Sequence, residues 1–344
     1  MATTVAAFQA SDYKELEALA HESPDTGMAH FTAEHLVPPD EADTELGLDT
    51  QLFVARVDGA LAGAADVSYA HIWYEGELRP AAMFGSLMVH PRYRRRGVAS
   101  ALASHRVEAA RQRFGPDVIL LANIQEGNIG AQRTAAKWRT AESRPFITAT
   151  APMRPAPAPT GAYTVRAATF ADVDEIADGL KAFYQGANFY RRQSPETLRA
   201  WVASPLPSPP RSYLVATDTR GRIAAGLGIT HLYRYLAHRL VDMPLWMRAL
   251  NVVFREIPEG GVLREADLRI VHWEDGVAAA HQLWQAVRGG MVGNANTLLF
   301  SYDPQGPLAP LAARLGLKSG VRLRAAVRAD RPPGPDHPLA PWVL

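Results

Sequence analysis

The chain has 344 residues, 47% of them hydrophobic, which exceeds what one core usually organises and is ample for two folded domains. Its 36 basic and 35 acidic residues give a net charge of +1, which excludes a whole-chain field that would attract nucleic acid or a membrane surface. The sequence contains no cysteine, which excludes disulfides, thiolate metal sites and a cysteinyl acyl intermediate.

Neither a targeting segment nor a metal cluster is visible in the sequence. Residues 1–17 lack a cationic region followed by an apolar run, and no stretch approaches the length that crosses a bilayer. We therefore expect a soluble, cytoplasmic protein that does not bind membranes. Among the eleven histidines, the pairs His30–His35 and His231–His238 are not spaced to share a helical face, so we expect no metal cofactor.

In chain order, the first half predicts strands and helices that alternate. Val5–Ala20 reads as strand, turn and helix, and Leu52–Tyr69 as two strands joined at Asp58-Gly59. The elements that follow are a strand at 83–89, a helix at 98–114, a strand at 118–124, a helix at 128–139 and strand-like residues at 144–150. This order predicts an α+β fold with a twisted, mixed but mostly antiparallel sheet and flanking helices.

The second half repeats the first imperfectly. VAAFQASDYKELEALA from Val5 aligns with VRAATFADVDEIADGL from Val165, and the hairpin at Leu52 aligns with one at Tyr213. A chance match between generic apolar patterns is the alternative explanation. Between the copies, alternating prolines favour extended backbone. The predicted organisation is a first domain at 1–152, a proline-rich linker at 153–162, a second domain at 163–330 and an irregular proline-rich tail at 331–344.

The segment Leu87–Leu102, LMVHPRYRRRGVASAL, carries the clearest chemistry. Gly97 has no Cβ, so backbone can approach an anion closely, and the free amides and dipole of a following helix favour negative charge. The run Arg94–Arg96 adds forked donors that suit a diphosphate or a ribose phosphate. Ala99 and Ser100 keep the approach open. The sequence therefore predicts a site for a nucleotide-like ligand.

A solvated arginine cluster and a nucleic-acid patch are the other interpretations of this run. The glycine at the helix start argues against the first. No aromatic ladder and no second basic face accompany the run, which argues against the second, so we expect no nucleic-acid partner. The sequence has no GxxxxGK[ST] motif and no GxGxxG after a strand, so neither a Walker-type nor a dinucleotide site is supported.

RRRGVA, Arg94–Ala99, resembles the R/Q-x-x-G-x-G/A signature of the GNAT superfamily of N-acetyltransferases, and Val89-His90-Pro91 and Tyr93 fit it too. The resemblance covers residues 1–152 well and residues 163–328 weakly. It implies two tandem GNAT-like domains with acetyl-CoA as co-substrate. The residues that it implies in binding the coenzyme are Leu87, Met88, Val89, Arg94, Arg95, Arg96, Gly97, Val98, Ala99, Ser100 and Asn128.

The same resemblance implies that a small-molecule amine attacks the acetyl thioester directly in a ternary complex, with the Val89 amide as oxyanion donor. The tyrosine that many family members carry after Asn128, and a glutamate on strand 83–89, are missing here. The catalytic candidates are therefore Ser86 and His71, followed by Tyr74, Glu75, Glu126 or a water chain. The alternative interpretation is that neither residue is catalytic: Ser86 then only lines the pocket, and His71 is an ordinary strand histidine.

The second copy departs from the signature. It keeps Gly276 but has Glu274 and Asp275 where the first copy has arginines, and carboxylates repel a diphosphate. We therefore expect a degenerate second domain that braces the first or shapes the amine pocket.

A specialised-metabolite pathway such as antibiotic biosynthesis is suggested by the resemblance alone. A noncatalytic acyl-CoA-binding or regulatory protein is the alternative to an enzyme, and the sequence leaves a homo-oligomer open.

Overall fold

A computed structural model describes seven segments of the chain: residues 3–25, 29–155, 162–202, 209–254, 257–291, 293–317 and 320–342. Within these residues, one mixed sheet of 13 strands runs through both halves, and a second sheet has three strands. Most of the linker predicted at 153–162 lies outside the described residues, as do positions 343–344 of the predicted tail. No helix of the described segments is long and apolar enough to cross a bilayer.

The first half of the chain supplies the elements that surround the predicted ligand loop. Its strands are β1 (Thr3–Ala7), β2 (His30–His35), β3 (Thr50–Val57), β4 (Ala60–Tyr74), β5 (Glu77–Val89), β6 (Ile119–Gln125), β7 (Ala141–Glu142) and β8 (Phe146–Pro152). Its helices are α1 (Tyr13–Glu22), α2 (Pro39–Glu45), α3 (Val98–Phe114) and α4 (Ile129–Ala135). The helix predicted at 98–114 is confirmed. The strand predicted at 83–89 starts earlier, because a tight turn at Glu75-Gly76 makes β4 and β5 one long hairpin.

The second half follows a related order of elements. Its strands are β9 (Thr164–Ala167), β10 (Arg211–Thr217), β11 (Ile223–Thr230), β12 (Leu236–Asp242), β13 (Val262–Leu263), β14 (Glu265–Trp273), β15 (Thr297–Tyr302) and β16 (Val321–Arg328). Its helices are α5 (Val173–Phe183), α6 (Pro195–Val202), α7 (Leu245–Phe254), α8 (Ala278–Gly290) and α9 (Ala309–Arg314). The strand, turn and helix predicted at the start of each copy are present in both halves.

A shared capping interaction explains why both halves begin alike. The Asp12 carboxylate accepts a hydrogen bond from the Gln9 amide at 2.9 Å, and Asp172 accepts one from the Thr169 amide at 2.6 Å. Backbone N–H groups at a helix start have no partner within the helix, so a carboxylate three residues into the turn stabilises it. The two aligned aspartates therefore set the same turn in front of α1 and α5.

The two halves exchange their last strands. β8 pairs antiparallel with β15 along its whole length, and β16 pairs with β6. The large sheet consequently has the order β1-β3-β4-β5-β6-β16-β8-β15-β14-β11-β10-β9, with β7 beside β16. The small sheet also joins the halves, because β2 pairs with β12. The domain limits at 152 and 163 stay predictions, and the strands on either side of them belong to one continuous sheet.

Each half contains one parallel strand pair that opens partway along. β5 and β6 pair only at Ala81–Met83, and β14 and β15 only at Glu265–Leu268. Shortly after each pairing ends, a non-glycine residue has positive φ: Ser86 at 41° and Ile270 at 43°. Such backbone is strained and persists where the surrounding structure holds it. The strain marks corresponding points of the two halves, and only the first of them carries the arginine-glycine loop.

Candidate functional site

A groove of about 840 Å³ opens where β5 and β6 diverge. Ser86–Val89 of β5 forms one wall, Gly97–Ser100 at the start of α3 forms the floor, and Gly127–Ala131 at the start of α4 forms the other wall. The small sheet contributes three residues to the lining, Phe31, Ala33 and His238. The groove therefore connects a helix N-terminus to the place where both halves of the chain meet.

The start of α3 is shaped for an anion. Gly97 has a φ of 86° and a ψ of −6°, and Arg95 just before it has a φ of 63°. A Cβ at position 97 would meet no other atom within 4 Å, so the space in front of the turn is open. Because the first N–H groups of a helix lack partners and its dipole is positive there, this turn favours a phosphate.

The structure separates the three predicted arginines. Arg94 and Arg95 line the groove, and Arg94 Nε donates to the Val89 carbonyl at 3.1 Å, which holds its side chain beside the end of β5. Arg96 instead lies over the Tyr93 ring, with its guanidinium carbon 5.9 Å from the ring centre, beside a neighbouring surface depression. The groove therefore has two of the three predicted guanidinium groups, and the position of Arg96 does not support the contact predicted for it.

The predicted backbone contacts of β5 face the groove. Leu87–Val89 all line it, while β4 pairs with the other edge of the strand. The His90 amide donates to Ala62 at 3.0 Å. Successive residues of a strand point their N–H groups to opposite sides, so the Val89 amide points away from β4. Since β6 does not pair with β5 beyond Met83, this amide is available to a ligand oxygen.

The remaining predicted binding residues lie where α3 and α4 begin. Asn128 lines the groove, and its side-chain oxygen accepts a hydrogen bond from the Ala131 amide at 3.0 Å, which caps α4. Ser100 lines the groove as well, and its hydroxyl receives a 2.5 Å hydrogen bond from Lys137. The Val98 side chain is buried in the core beneath α3, so its contribution to the groove is its backbone. The Asn128 cap stabilises the start of α4, and the Lys137–Ser100 hydrogen bond links the start of α3 to the residues that follow α4.

Of the two main catalytic candidates, the structure brings one into the groove. Ser86 lines it at the strained bulge of β5. His71 does not line it: the residue lies opposite Pro80 on the β4–β5 hairpin, and its ring packs edge-on against Phe114 with centroids 5.6 Å apart. The prediction for His71 is therefore corrected, because its ring belongs to a surface aromatic contact at the end of α3.

The lesser candidates bind the C-terminal segments instead. The Tyr74 hydroxyl donates to the Arg331 carbonyl at 2.7 Å, and Glu75 accepts from the Gly334 amide at 2.7 Å. Glu126 pairs with two arginines of β16 at 3.0 and 3.2 Å. Each of these groups is explained by the contacts that fasten the end of the chain to the first half.

Two interacting carboxylates were not predicted: Asp66, which is beside Ser86, and Asp43, whose charge interacts with that of Asp66. Asp66 of β4 has one buried oxygen, Oδ1, that lacks a hydrogen-bond partner among the described residues. Burial raises the pKa of Asp66, against the smaller lowering effect of the Ser86 hydroxyl. Burial and the charge of Asp66 raise the pKa of Asp43 on α2 to about 7. An acidic residue inside the apolar run LAGAADVSYA was the available sequence signal for Asp66, whereas Asp43 lies among other acidic residues in PDEADTE.

A buried arginine supports the same bulge from beneath. Arg106 of α3 is 3% exposed, and its Nη1 donates to the carbonyls of Asp66 and Gly85 at 3.1 and 3.0 Å. Its guanidinium lies over the Phe84 ring at 4.7 Å. Hydrogen bonds from a charged donor to two strands fix the backbone on either side of the bulge. Arg106 therefore positions Ser86 and Asp66 relative to each other.

The second half contributes one histidine, His238, to the lining of the groove. His238 Nδ1 lies 2.7 Å from Oε2 of Glu265, which is 6% exposed. Burial lowers the pKa of His238, but the hydrogen bond and the charge of Glu265 outweigh it, so the pKa is raised. Among the described residues, no group of three or more His, Asp or Glu side chains is placed to hold a metal. From the sequence, His238 was considered only as one of a pair of histidines whose spacing does not suit a metal.

The corresponding turn of the second half is arranged differently. Gly276 has a φ of 89° in front of α8, like Gly97 in front of α3. However, the Val271 carbonyl on the diverging part of β14 accepts a 2.8 Å hydrogen bond from the buried Tyr184 hydroxyl. A backbone position that would face a pantetheine arm is therefore already bonded within the protein.

Residues 15–139 match the family model described as "Acetyltransferase (GNAT) family". No curated protein matches the sequence significantly. Among solved structures, N-myristoyltransferase of Saccharomyces cerevisiae with bound myristoyl-CoA matches with a TM-score of 0.64 and 10% identity, over 98% of this chain and 82% of that one. The GCN5-related N-acetyltransferase of Kribbella flavida matches with a TM-score of 0.52 and 12% identity, over 95% and 71%. These similarities show the fold, which is a mixed-sheet α+β fold.

Proposed function

We propose that this chain, whose residues 15–139 match the family model described as "Acetyltransferase (GNAT) family", transfers an acetyl group from acetyl-CoA to the amine of a small molecule. The observation that carries the proposal is the groove between β5 and β6. It combines a glycine-opened helix start, two guanidinium groups and an unpaired strand edge, which are the three features that a diphosphate linked to an amide-containing arm requires.

The coenzyme fits the groove in one direction. Its diphosphate binds the amides of Gly97–Ala99, with Arg94 and Arg95 beside them. The amide-containing arm then follows Leu87–Val89, where backbone groups take the place of a missing neighbouring strand. We place the acyl group beside Phe31, Ala33 and His238, which also line the groove and whose side chains would favour a short acyl chain over a long one. The thioester therefore lies near the bulge at Ser86.

In the transfer step, the amine nitrogen attacks the thioester carbonyl carbon, and the bond to the coenzyme sulfur breaks as the amide forms. The nitrogen must lose a proton, and a base with a pKa near the working pH suits this task. We assign this role to Asp43, which has a pKa of about 7 and whose charge interacts with that of Asp66, the hydrogen-bond partner of Ser86. His238 is less suited to accept the proton, because Glu265 already stabilises its protonated form.

Charge that develops on the carbonyl oxygen needs a fixed donor. The Val89 amide points into the groove from the strand edge that β6 leaves, so it serves as the oxyanion donor. The departing thiolate takes up a proton, and protonated Asp43 returns one to the site, directly or through water. Protons therefore balance over the reaction without the tyrosine and glutamate that this sequence lacks.

The proposal is tested by incubating the purified protein with labelled acetyl-CoA and a library of small amines. We expect an N-acetylated product that accumulates over many turnovers. Sustained coenzyme binding without any acetylated product would instead support the alternative, a noncatalytic acyl-CoA-binding protein.

Arg94→Ala is expected to raise the dissociation constant of acetyl-CoA about tenfold, since a charge-assisted hydrogen bond to a phosphate at an accessible site is worth ~1.5 kcal/mol. The effect shrinks as salt is added, because the interaction is electrostatic. Arg96→Ala is the matched control, because Arg96 lies over Tyr93 and does not line the groove. Isothermal titration calorimetry gives both constants; equal losses in the two variants would contradict the assignment of Arg94.

The same titration tests the second half. We propose that residues 163–330 form a degenerate copy that does not bind the coenzyme, supported by Glu274 and Asp275 beside Gly276 and by the Tyr184–Val271 hydrogen bond. The expected stoichiometry is one acetyl-CoA per chain. Two sites of comparable affinity would contradict this proposal and leave the assignment of the first groove intact.

A further inference from the structure

A second cavity, of about 220 Å³, lies between the two halves of the chain. The loop Leu46–Leu48 between α2 and β3 forms one side, Asp267–Val271 of β14 forms another, and Ala340–Trp342 of the C-terminal segment covers it. Its size is below that of most drug-sized ligand pockets, so it suits a small molecule or part of one. Three arginines line it, namely Arg191, Arg211 and Arg269.

These arginines carry more positive charge than the nearby carboxylates neutralise. Arg269 Nε donates to Asp267 Oδ2 at 2.6 Å. In the part of the chain that the structure describes, neither Arg191 nor Arg211 forms an ion pair. The Nε atom of Arg211 is buried and has no hydrogen-bond partner there. The cavity therefore has three guanidinium groups and, among the described residues, only that of Arg269 is bonded to a carboxylate, Asp267.

The three groups act on one another. Burial, followed by the charges of Arg269 and Arg191, lowers the pKa of Arg211 to about 10. Burial and Arg269 also lower the pKa of Arg191, whereas Asp49 raises it slightly. Charges withdrawn from water cost free energy unless they are paired, and like charges placed together add to that cost. An arrangement of this kind is favourable when a ligand brings the missing negative charge.

The arginine cavity is close to the reacting end of the groove along two routes. Asp43 is one helical turn from Leu46, and the Leu48 amide donates to the Asp43 carbonyl at 2.8 Å. On β14, Glu265 holds His238 of the groove, while Arg269 lines the cavity on the same strand face. Four residues of strand span about 13 Å. An acceptor that joins the arginines to the end of the groove at His238 must therefore span at least about this distance.

We propose that this cavity binds an anionic group, a carboxylate or a phosphate, of the amine acceptor, and that Arg191, Arg211 and Arg269 thereby select small acidic amines as substrates. This inference rests on the proposed acyl transfer. The guanidinium fork matches both kinds of anion with two parallel hydrogen bonds. The acceptor then lies with its anion in the cavity and its amine directed towards Asp43 and the thioester.

The first test is thermal unfolding with the coenzyme groove saturated by CoA, so that added anions do not report that site. Sodium phosphate and sodium glutarate are the probes, each against sodium chloride of equal ionic strength. The wild-type midpoint is expected to rise by at least about 2 °C with one or both probes. Arg211→Met is expected to lose this rise and to unfold no earlier than wild type without the probe, since methionine removes an unpaired charge and keeps apolar bulk.

Arg192→Met is the matched control for these measurements. Arg192 adjoins Arg191 in sequence but is exposed and does not line the cavity. This variant is expected to keep the full rise of the midpoint. No rise in wild-type protein, or an equal rise in Arg211→Met, would overturn the cavity assignment. A midpoint of Arg211→Met far below wild type would also overturn it, because it would give Arg211 a structural role.

The second test compares acceptors that differ only in charge. The probes are ω-amino acids of increasing length with their amides, and aminoalkyl phosphates with the corresponding amino alcohols. The anionic member of the preferred pair is expected to have a kcat/KM at least about 30-fold higher, and Arg191→Met removes that preference. Unchanged acetyl-CoA binding with no charge preference would overturn the inference and leave the acyl transfer standing. If wild-type protein does not bind acetyl-CoA at all, the proposed acyl transfer itself is wrong.

Discussion

Gly97→Glu is expected to raise the dissociation constant of acetyl-CoA at least about 100-fold, through the loss of charge-assisted hydrogen bonds to the diphosphate and the addition of a like charge. The new carboxylate would lie at the free amides of α3, where the helix dipole favours it, so it competes with the diphosphate for the same donors. The φ of 86° at position 97 adds strain of ~1 kcal/mol for any residue with a Cβ.

Gly59→Glu is the matched control for this variant. Gly59 has a φ of 87° at the β3–β4 turn, and a Cβ there meets no atom within 4 Å, as at Gly97. The two variants therefore share the strain and the added charge and differ in distance from the groove. Calorimetry should show near wild-type affinity for Gly59→Glu. A folded Gly97→Glu protein that keeps its affinity would remove the anion site at α3.

Asp43→Asn is expected to lower kcat by about 100-fold or more while the acetyl-CoA dissociation constant stays unchanged, since general-base catalysis contributes a factor of this size. The amine would have to lose its proton to water. In the wild type, kcat/KM should fall as pH drops below about 7, where Asp43 becomes protonated. That limb of the pH profile should be missing from the variant.

The same substitution has an opposite effect on stability. The pKa of Asp43 is raised from 3.8 to about 7, so the protonated form is favoured in the folded state. Its contribution to stability is full below the unfolded pKa and is lost as pH rises through the folded value. Asparagine does not titrate, so Asp43→Asn should gain stability relative to wild type between pH 4 and 8, measured by urea unfolding at each pH. Lower activity together with higher stability separates catalytic loss from misfolding.

Asp40→Asn is the control on the same helix. Asp40 is exposed, and its charge is one of the smaller causes that raise the pKa of Asp43. We expect this variant to keep the wild-type rate at high pH. The acidic limb of its pH profile should shift to a slightly lower pH, because the pKa of Asp43 falls when the Asp40 charge is removed. If Asp43→Asn retains both its rate and the limb near pH 7, another group is the base.

The coenzyme loop was predictable because its determinants are adjacent in sequence. Gly97, the arginines before it and the apolar strand before those all lie within the 15 residues 83–97, and each acts locally. The helix at Val98–Phe114 followed from the same segment. The position of Arg96 could not be predicted in this way, because whether an arginine faces the groove or a tyrosine ring depends on tertiary packing.

What the sequence did not reveal depends on long-range contacts. The exchange of β8 and β16 between the halves follows from pairings across about 150 residues for β8 and about 200 residues for β16, and apolar alternation alone does not distinguish one partner from another. Arg191, Arg211 and Arg269 are equally dispersed, and each reads as a solvated side chain on its own. The proline-rich tail is irregular where described, yet Leu339 and Trp342 are buried, because proline limits strand pairing and not apolar packing.

The most direct test of the groove assignment is a crystal structure of the protein grown with saturating acetyl-CoA. The diphosphate is expected within about 3 Å of the backbone amides at Gly97–Ala99, with Arg94 and Arg95 beside it and the arm along Leu87–Val89. The turn at Gly276 should hold no coenzyme. Coenzyme in the cavity of Arg191, Arg211 and Arg269, or no coenzyme at the start of α3, would contradict the assignment.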